Sequence, residues 1–367
     1  MKLKAAVLRG VGSALTIEEI DLEDPKDHEV LVKIKATGLC ASDLNAIDGK
    51  RNLVPFPAVL GHEAAGIVEK CGKNVTNFEK GDHVILSIVP NCGKCKYCIS
   101  KNPNFCELAG NSMFEGNLFD GTSRLKLHGE RLNHFLTTSS FAEYSVVPES
   151  GLVKINKNMP LDRAALISCA VLTGIGAVKN TARVKPNSNV AVFGCGGVGL
   201  NIIQGARMAK AKNIFAVDIS DEKLELAKKV GATHSFNSLD QNNLKSIREI
   251  SEGGVDHAFE ALGKEEVIQM AWKSVGPFGQ LTLVGLMKHG ASLTIDAGPF
   301  VNEQSIKGCY FGSSNIQTDV PNLVENYLNK DLMLDELISR RIPLEDINHA
   351  FDQLRKGQGA RSVIIFE

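Results

Sequence analysis

Four of the nine cysteines lie between residues 92 and 106, in the pattern C-x2-C-x2-C-x7-C. Thiolates at this spacing on one loop can close a tetrahedral zinc site, because zinc accepts four soft sulfur ligands and needs no redox chemistry. An iron–sulfur cluster is the main alternative, since ferredoxin motifs begin with the same spacing. The seven-residue gap and the absence of a following Cys-Pro pair favour zinc. The predicted structural zinc ligands are Cys92, Cys95, Cys98 and Cys106.

A second candidate site is the glycine-rich segment 194–199, which fits G-x-G-x-x-G. It follows a strand-like segment and opens a helical pattern, which is the context of a dinucleotide-binding loop, although a turn needed only for packing is the alternative. Backbone N–H groups at such a helix start attract a pyrophosphate. Asp218 ends the next predicted strand, where its carboxylate would bind ribose hydroxyls and repel a 2′-phosphate, which favours NAD over NADP. The loop residues assigned to the cofactor are Gly194, Gly196, Gly197, Val198 and Gly199.

Three further segments carry metal-binding residue types but lie far apart in the sequence. They are G-L-C-A-S-D around Cys40, G-H-E around His62 and S-C-A around Cys169. A lone cysteine is more often a small buried hydrophobic residue. Spacing alone does not show that the three segments meet.

The predicted elements that must position these residues are of two kinds. The first third of the chain consists of short strands with turn signals, such as 30–36 and 64–69, which indicates an irregular β domain. From about residue 170, strands and helices alternate, which predicts a Rossmann-type, doubly wound parallel sheet in an α/β protein. The alternating segments are 171–182, 189–193, 199–210, 213–218, 221–230, 255–259, 280–284 and 305–311. We therefore expect a zinc-binding catalytic domain over 1–170, an NAD-binding domain over 171–310 and a return to the first domain over 311–367.

Composition argues against several function classes. The chain has 367 residues, which is enough for two domains. Its net charge of -1 provides no strong positive electrostatic field that would attract nucleic acid or an anionic membrane. We see no apolar run long enough to span a bilayer and no signal peptide. The odd number of cysteines argues against a disulfide framework. These features predict a cytoplasmic protein with neither a membrane nor a nucleic acid as partner.

In their order along the chain, the Cys40 segment, the G-H-E segment, the cysteine quartet, the Cys169 segment and the glycine loop resemble zinc alcohol dehydrogenases of the medium-chain dehydrogenase family. The resemblance covers essentially the whole chain. It implies a GroES-like catalytic domain, two zinc ions per chain, NAD as cofactor, and hydride transfer between a primary alcohol and its aldehyde. It also implies that Cys40, His62 and Cys169 bind the catalytic zinc and leave its fourth position to water or substrate.

The same resemblance implies roles for neighbouring residues. Ser42 would take the proton from the alcohol, Asp43 would orient His62 through its other ring nitrogen, and Glu63 would approach the metal transiently. Further cofactor contacts are implied for Thr173, Lys223 and Arg361. An apolar substrate wall is implied for Ile88, Phe135, Leu136 and Leu286, which favours medium-chain, allylic or benzylic alcohols.

Two positions depart from the liver-type members of that family. Ala41 stands where many relatives carry Arg or His, and Asn45 stands where a His ends the proton relay. Segment 111–137 resembles a loop of the dimeric liver-type enzymes, which favours a homodimer.

Two other functions stay open. Glutathione-dependent formaldehyde dehydrogenases carry acidic residues in the stretch that matches 50–53, whereas this chain has K-R-N-L there, the wrong charge for the glutathione amine. A non-catalytic dinucleotide-binding protein of the same fold is the second alternative. The intact set of Cys40, His62, Cys169 and Ser42 argues against it.

Overall fold

The computed structural model describes residues 1–367. The chain forms two compact units. The first unit consists of Met1–Cys169, Asn315–Lys330 and Leu337–Glu367, and the second of Ala170–Ser314 and Asp331–Glu336. The expected boundaries after 170 and 310 therefore differ from the observed ones. The second unit extends to Ser314 and takes up a later segment that the sequence pattern had assigned to the first.

The elements up to residue 169 are β1 (Lys2–Leu8), β2 (Thr16–Leu22), β3 (Glu29–Gly38), α1 (Ala41–Ile47), β4 (Ala58–Val59), β5 (Glu63–Cys71), β6 (His83–Leu86), α2 (Lys96–Ile99), α3 (Glu107–Glu115), β7 (Leu125–Leu127), β8 (Glu130–His134), β9 (Tyr144–Pro148), β10 (Leu152–Lys154) and α4 (Leu161–Leu166). The second unit continues with α5 (Leu172–Gly176), β11 (Asn189–Phe193), α6 (Gly197–Met208), β12 (Asn213–Asp218), α7 (Asp221–Val230), β13 (His234–Asn237), α8 (Asn243–Ile250), β14 (Val255–Glu260), α9 (Glu265–Ser274), β15 (Val275–Leu283) and β16 (Ser305–Gly308). The remaining elements are α10 (Ile316–Leu328), β17 (Ile338–Ile342), α11 (Ile347–Arg355) and β18 (Arg361–Ile365).

The first unit is built on two sheets. Five strands close into a barrel in the order β1-β2-β7-β8-β4, and a second sheet has the order β10-β6-β5-β3-β18-β17, with β9 also paired to β3. Side chains at alternate positions of β1, namely Leu3, Ala5 and Val7, fill the barrel together with Ile20 and Leu22 of β2. The predicted irregular β domain is thus a barrel packed on period-two apolar residues.

The second unit contains a parallel sheet with the order β13-β12-β11-β14-β15-β16. This order reverses next to β11, and ligands of such sheets bind at the carboxyl ends of the strands at that point. Strands β11 and β12 and helix α7 have the predicted bounds, whereas α6 begins at Gly197 rather than at residue 199. The observed sheet confirms the predicted Rossmann-type fold.

One helical segment is apolar enough to be considered as a membrane span, which differs from the expectation that none has the required length. It comprises Leu161–Ala182, with a mean hydropathy of 1.6 in its most apolar window. Of that window, 72% is buried inside the protein. A helix that is apolar on most of its surface is expected wherever it is buried in a protein core.

A buried polar cluster supports the first unit where strand β8 ends. Arg124 has no exposed surface and donates two hydrogen bonds to Glu29, from Nε to Oε2 (2.8 Å) and from Nη2 to Oε1 (2.6 Å). The backbone N–H of Arg124 donates to Nε2 of His134 (3.2 Å), whose Nδ1 has no partner. Burial, together with Arg124 and Arg131, lowers the pKa of His134 to about 3. His134 is therefore a neutral side chain at physiological pH.

This shifted pKa predicts a specific loss of stability in mild acid. In the unfolded chain His134 takes up a proton below its ordinary pKa of about 6.5, whereas the folded chain resists protonation down to about 3. The contribution of His134 to the free energy of unfolding is fully present above pH 6.5. It falls as the pH decreases, by roughly 1.4 kcal/mol between pH 7.5 and 5.5. Urea unfolding at both pH values should show a smaller pH effect in His134→Gln, by about that amount. An equal pH effect in both proteins would contradict the neutral state of His134.

Candidate metal centres and nucleotide site

The cysteine quartet forms a compact cluster in the first unit. The ligand atoms of its members, Cys92, Cys95, Cys98 and Cys106, lie within 4.8 Å of one another. Short helices position them, since Cys95 precedes α2, Cys98 lies within it, and Cys106 precedes α3. The backbone N–H of Cys92 donates to Sγ of Cys106 (3.3 Å), and that of Cys95 donates to Sγ of Cys92 (3.4 Å). Such donors stabilise thiolates, and those of Cys98 and Glu107 lower the pKa of Cys95 to about 6. The cluster fits a closed tetrahedral zinc site.

A second cluster brings together the three separate metal-binding segments. The ligand atoms of Cys40, His62, Glu63 and Cys169 lie within 4.8 Å of one another. Cys40 immediately precedes α1, Glu63 opens β5, and Cys169 lies in a π-helical turn, Ile167–Val171. Such turns insert an extra residue into a helix and are frequent at functional sites.

Asp43 determines how the His62 ring is oriented. Its Oδ1 is 3.1 Å from Nδ1 of His62 and also accepts the backbone N–H of Gly61 (3.1 Å), while its Oδ2 accepts that of Cys40 (3.1 Å). Burial acts to lower the pKa of His62, but the nearby Asp43 and Cys40 outweigh it and raise that pKa well above its ordinary value. The other ring nitrogen, Nε2, is buried and has no hydrogen-bond partner. A buried polar atom without a hydrogen bond costs free energy. Since Nε2 lies beside two thiols, a metal ion bound by all three would satisfy it.

The two thiols of this cluster differ in acidity. A hydrogen bond between them lowers the pKa of Cys40 and raises that of Cys169. Ser168 donates to the backbone carbonyl of His62 (3.0 Å), which ties the π-helical turn to the segment that carries the histidine. Two sulfurs and one imidazole nitrogen are a ligand set that zinc prefers in catalytic sites.

Glu63 and Arg361 form a buried pair beside this cluster. The Nη2 atom of Arg361 is 3.4 Å from Oε1 of Glu63, and its Nη1 donates to the backbone carbonyl of Leu39 (3.1 Å). Burial raises the pKa of Glu63 to about 8, although Arg361 acts against that change. Arg361 thus lies next to the metal-binding residues, and its contact with cofactor phosphates stays a prediction.

Ser42, predicted for proton transfer, and Phe135, predicted for the substrate wall, lie beside residues of the same cluster. Ser42 is half-buried in the first turn of α1, between Cys40 and Asp43. The ring of Phe135 is fully buried and meets that of His62 edge to face, with centroids 5.7 Å apart. The other wall residues differ in exposure. Ile88 and Leu136 are buried in the first unit, whereas Leu286 belongs to the second unit and is 46% exposed.

In the second unit the glycine loop joins β11 to α6. Gly194 has a φ of +95°, which favours glycine, and a Cβ on Gly199 would lie 1.7 Å from the carbonyl oxygen of Gly194. Gly196 is different, because a Cβ there would meet nothing within 4 Å. Packing therefore explains Gly194 and Gly199, while Gly196 leaves open space of the kind that a bound pyrophosphate requires.

Asp218 stands at the end of β12, beside this loop. Its Oδ2 accepts the backbone N–H of Cys195 (2.7 Å) and its Oδ1 accepts that of Ser220 (3.0 Å). The carboxylate thus holds the loop as well as the end of its own strand. Lys223 lies in the first turn of α7 and is half-buried.

The remaining cofactor positions lie on two helices that pack together. Gly197 and Val198 open α6, and Thr173 lies in α5. A Cβ on Gly174 would lie 2.6 Å from the carbonyl oxygen of Val198, so these helices approach closely at this point. The structure places Thr173 near the glycine loop. Its contact with a cofactor stays a prediction.

The sequence is similar to known dehydrogenases over its whole length. Residues 26–157 match the alcohol dehydrogenase GroES-like domain, and residues 197–329 match the zinc-binding dehydrogenase domain. Alcohol dehydrogenase class-3 of Drosophila melanogaster is 42% identical over 366 residues, which cover 98% of this chain and 97% of that protein. S-(hydroxymethyl)glutathione dehydrogenase of Synechocystis sp. is 42% identical over 367 residues, which cover 99% of this chain and 100% of that protein.

Among solved structures, benzyl alcohol dehydrogenase from Acinetobacter calcoaceticus superposes with a TM-score of 0.95 at 35% identity, covering 100% of both chains. These similarities confirm the predicted GroES-like and Rossmann-type domains and the predicted cofactors, zinc and NAD. Together with the two clusters of metal-binding residues, they show that this chain belongs to the family of zinc-dependent medium-chain alcohol dehydrogenases.

Proposed function

We propose that this chain is an NAD-linked alcohol dehydrogenase that transfers a hydride between a primary alcohol and its aldehyde. The observation that carries the proposal is the buried set of Cys40, His62 and Cys169, in which Nε2 of His62 lacks a protein partner. This set would hold zinc and leave one coordination position for the substrate. When bound, the zinc supplies Lewis-acid polarisation of the substrate oxygen, which lowers the pKa of the alcohol.

The protein's own residues would supply orientation and proton transfer. Asp43 contacts Nδ1 of His62 and so fixes the orientation of the ring. The other ring nitrogen, Nε2, is then left to bind the metal. Ser42 would accept the alcohol proton at Oγ, since it lies two residues after Cys40, in the first turn of α1. The amide of Asn45 does not take up a proton and would not extend this relay. Asp218 would hold the ribose of NAD, which, when bound, would supply the hydride acceptor.

The direct test is whether the purified zinc-loaded protein reduces NAD when primary alcohols are added. A protein that binds NADH but shows no turnover with any alcohol or aldehyde would support the non-catalytic alternative instead.

Because the carboxylate of Asp218 would repel a 2′-phosphate, catalytic efficiency should be much higher with NAD than with NADP. Comparable efficiencies with both cofactors would contradict the role of Asp218.

Larger apolar alcohols should be better substrates than ethanol. The wall beside His62 contains Phe135, and the buried apolar residues Ile88 and Leu136 are proposed to extend it. Each CH₂ group that is fully buried contributes about 0.8 kcal/mol, so even partial burial should raise kcat/KM about tenfold or more from ethanol to hexan-1-ol or benzyl alcohol. Steady-state kinetics over this series decides the matter. Values that fall steadily along the series would refute the apolar wall.

Oxidation of S-(hydroxymethyl)glutathione is the second candidate activity. It is favoured by the similar relatives, one of which is named for that reaction. Against it, Lys50 stands in the stretch where acidic residues are expected, and it pairs with Asp48 (3.1 Å). The ratio of kcat/KM for this substrate to that for benzyl alcohol separates the two functions.

We also infer a cytoplasmic homodimer. In the second unit, β16 lies at the end of its sheet and therefore has one unpaired edge, which another chain can cover. Two residues just before it are exposed apolar side chains, Phe300 (46%) and Val301 (88%). Exposed apolar residues beside an open edge support an interface. The molar mass in solution, measured by light scattering, tests the dimer. The cytoplasmic location is supported by the cysteines, which form no disulfide, because thiols stay reduced in that compartment.

A further inference from the structure

Glu260 is a buried carboxylate that the proposed mechanism does not use. It is the last residue of β14, and its side chain has no exposed surface. Its Oε1 accepts the backbone N–H groups of Leu262 and Gly263, each at 2.8 Å. Its Oε2 is buried without a hydrogen-bond partner. Burying a carboxylate is costly, so a structural or functional reason for its presence is required.

The turn that Glu260 holds is pressed against two other loops. A Cβ on Gly194, the first glycine of the nucleotide loop, would lie 2.7 Å from Cγ of Leu262. A Cβ on Gly285 would lie 2.1 Å from the backbone nitrogen of Gly263 and 2.7 Å from Oε2 of Glu260. The turn therefore fits between the loops that follow β11 and β15, and glycine is required on both sides of it.

Backbone hydrogen bonds join the same three loops. The N–H of Ala261 donates to the carbonyl of Phe193 at the end of β11 (2.9 Å), and those of Val284 and Gly285 donate to the carbonyl of Glu260 (2.9 Å each). All three loops lie at the carboxyl edge of the parallel sheet, where the strand order reverses. Dinucleotides bind at this part of such sheets.

We propose that Glu260 is a positioning residue for the dinucleotide site: its carboxylate holds the Leu262–Gly263 turn against Gly194 and Gly285 and so fixes the shape of the glycine loop. This inference rests on the proposed function, because it assumes that the loop binds NAD. Glu260 acts through Leu262 and does not itself touch the cofactor. Its loss should therefore weaken cofactor binding and leave the metal content and the reaction with alcohol little changed.

The experiment measures the dissociation constant of NADH by fluorescence titration, which does not require turnover. For Glu260→Ala we expect an increase of about tenfold or more, since two hydrogen bonds to a charged group are lost. Glu260→Gln keeps a carbonyl oxygen that can accept both N–H groups, and its dissociation constant should stay within about threefold of the wild-type value. In steady-state kinetics, KM for NAD should rise in Glu260→Ala while kcat and the zinc content stay close to those of the wild type.

Gln304→Ala is the matched control. Gln304 is also buried in the second unit, and its Nε2 donates to the carbonyl of Val275 (2.6 Å) at the opposite end of β15. Removal of its side chain should lower the thermal midpoint without changing the dissociation constant of NADH by more than about twofold. If Gln304→Ala and Glu260→Ala weaken NADH binding equally, Glu260 is only a structural residue and the inference is overturned.

Two further results separate this inference from the proposed function. NADH binding that is normal in both the wild type and Glu260→Ala overturns the inference alone, whereas a wild type that binds no NADH overturns the proposed function and the inference together. If Glu260→Ala does not fold, Gly285→Ala decides, because its new Cβ would displace Gly263 from the other side. Weaker NADH binding in that variant supports the inference, and unchanged binding overturns it.

Discussion

Cys169→Ser is expected to lower kcat by about a thousandfold or more while the protein stays folded, because a serine hydroxyl is a far poorer zinc ligand than a thiolate. The substitution is nearly isosteric, and Cys169 is only 8% exposed in its π-helical turn, so the packing around it should persist. Elemental analysis should show that one of two zinc ions per chain is lost. Circular dichroism should match that of the wild type.

Cys71→Ser is the matched control for this experiment. Cys71 lies in the same unit but in neither cluster, and its Sγ donates to the carbonyl of Phe78 (3.4 Å), a bond that a serine can replace. This variant should keep both zinc ions and full turnover. The assignment of Cys169 would be refuted if Cys169→Ser kept more than about a tenth of the wild-type kcat at full zinc content.

Cys95→Ser should instead reduce stability and leave the reacting centre intact. Helix α2, which follows Cys95, has 4 residues, far fewer than an isolated helix needs in water, so the segment depends on its metal. We expect the zinc of the quartet to be lost, with a destabilisation on the order of 3 kcal/mol or more. Limited proteolysis should then cut between residues 92 and 106, and the thermal midpoint should fall.

The molecules of Cys95→Ser that remain folded should keep most of their turnover, because the quartet does not include any residue assigned to the alcohol. This result, set beside that of Cys169→Ser, would distinguish a structural zinc from a catalytic one. Iron in place of zinc in the wild type would instead favour the iron–sulfur alternative. An unchanged thermal midpoint in Cys95→Ser would contradict the structural role.

Local sequence signals predicted part of the second unit, whereas β13, α8 and α9 were not predicted. Strands β11 and β12 and helix α7 have the expected bounds because apolar runs, caps and flanking charges define them within a few residues. Strand β15 starts at Val275, whereas the predicted strand starts at residue 280. The prediction was wrong because Pro277 and Gly279, which lie within the strand, are typical of a turn. Helices α1 and α3 were not predicted, since metal-binding residues and short length obscure their periodicity.

The reactive cluster could not be derived from spacing. Cys40, His62 and Cys169 meet only because the turn between β3 and α1, the start of β5 and the π-helical turn fold together, and such long-range contacts have no local signature. The resemblance to known dehydrogenases placed them correctly near one another. Glu260 was missed altogether, because a glutamate at the end of an apolar strand looks like the beginning of a loop.

The position of β18 has a consequence for biosynthesis. This strand lies between β3 and β17, and it carries Arg361, which pairs with Glu63 beside the metal-binding residues. The ribosome therefore completes residues 170–314 before it makes β18, the strand that the second sheet of the first unit still lacks. Since domains generally fold as they emerge, the nascent chain should present a folded nucleotide-binding unit before its metal-binding unit is whole. Zinc insertion at Cys40, His62 and Cys169 would then be a late event, open to control by the metal supply at the time of release.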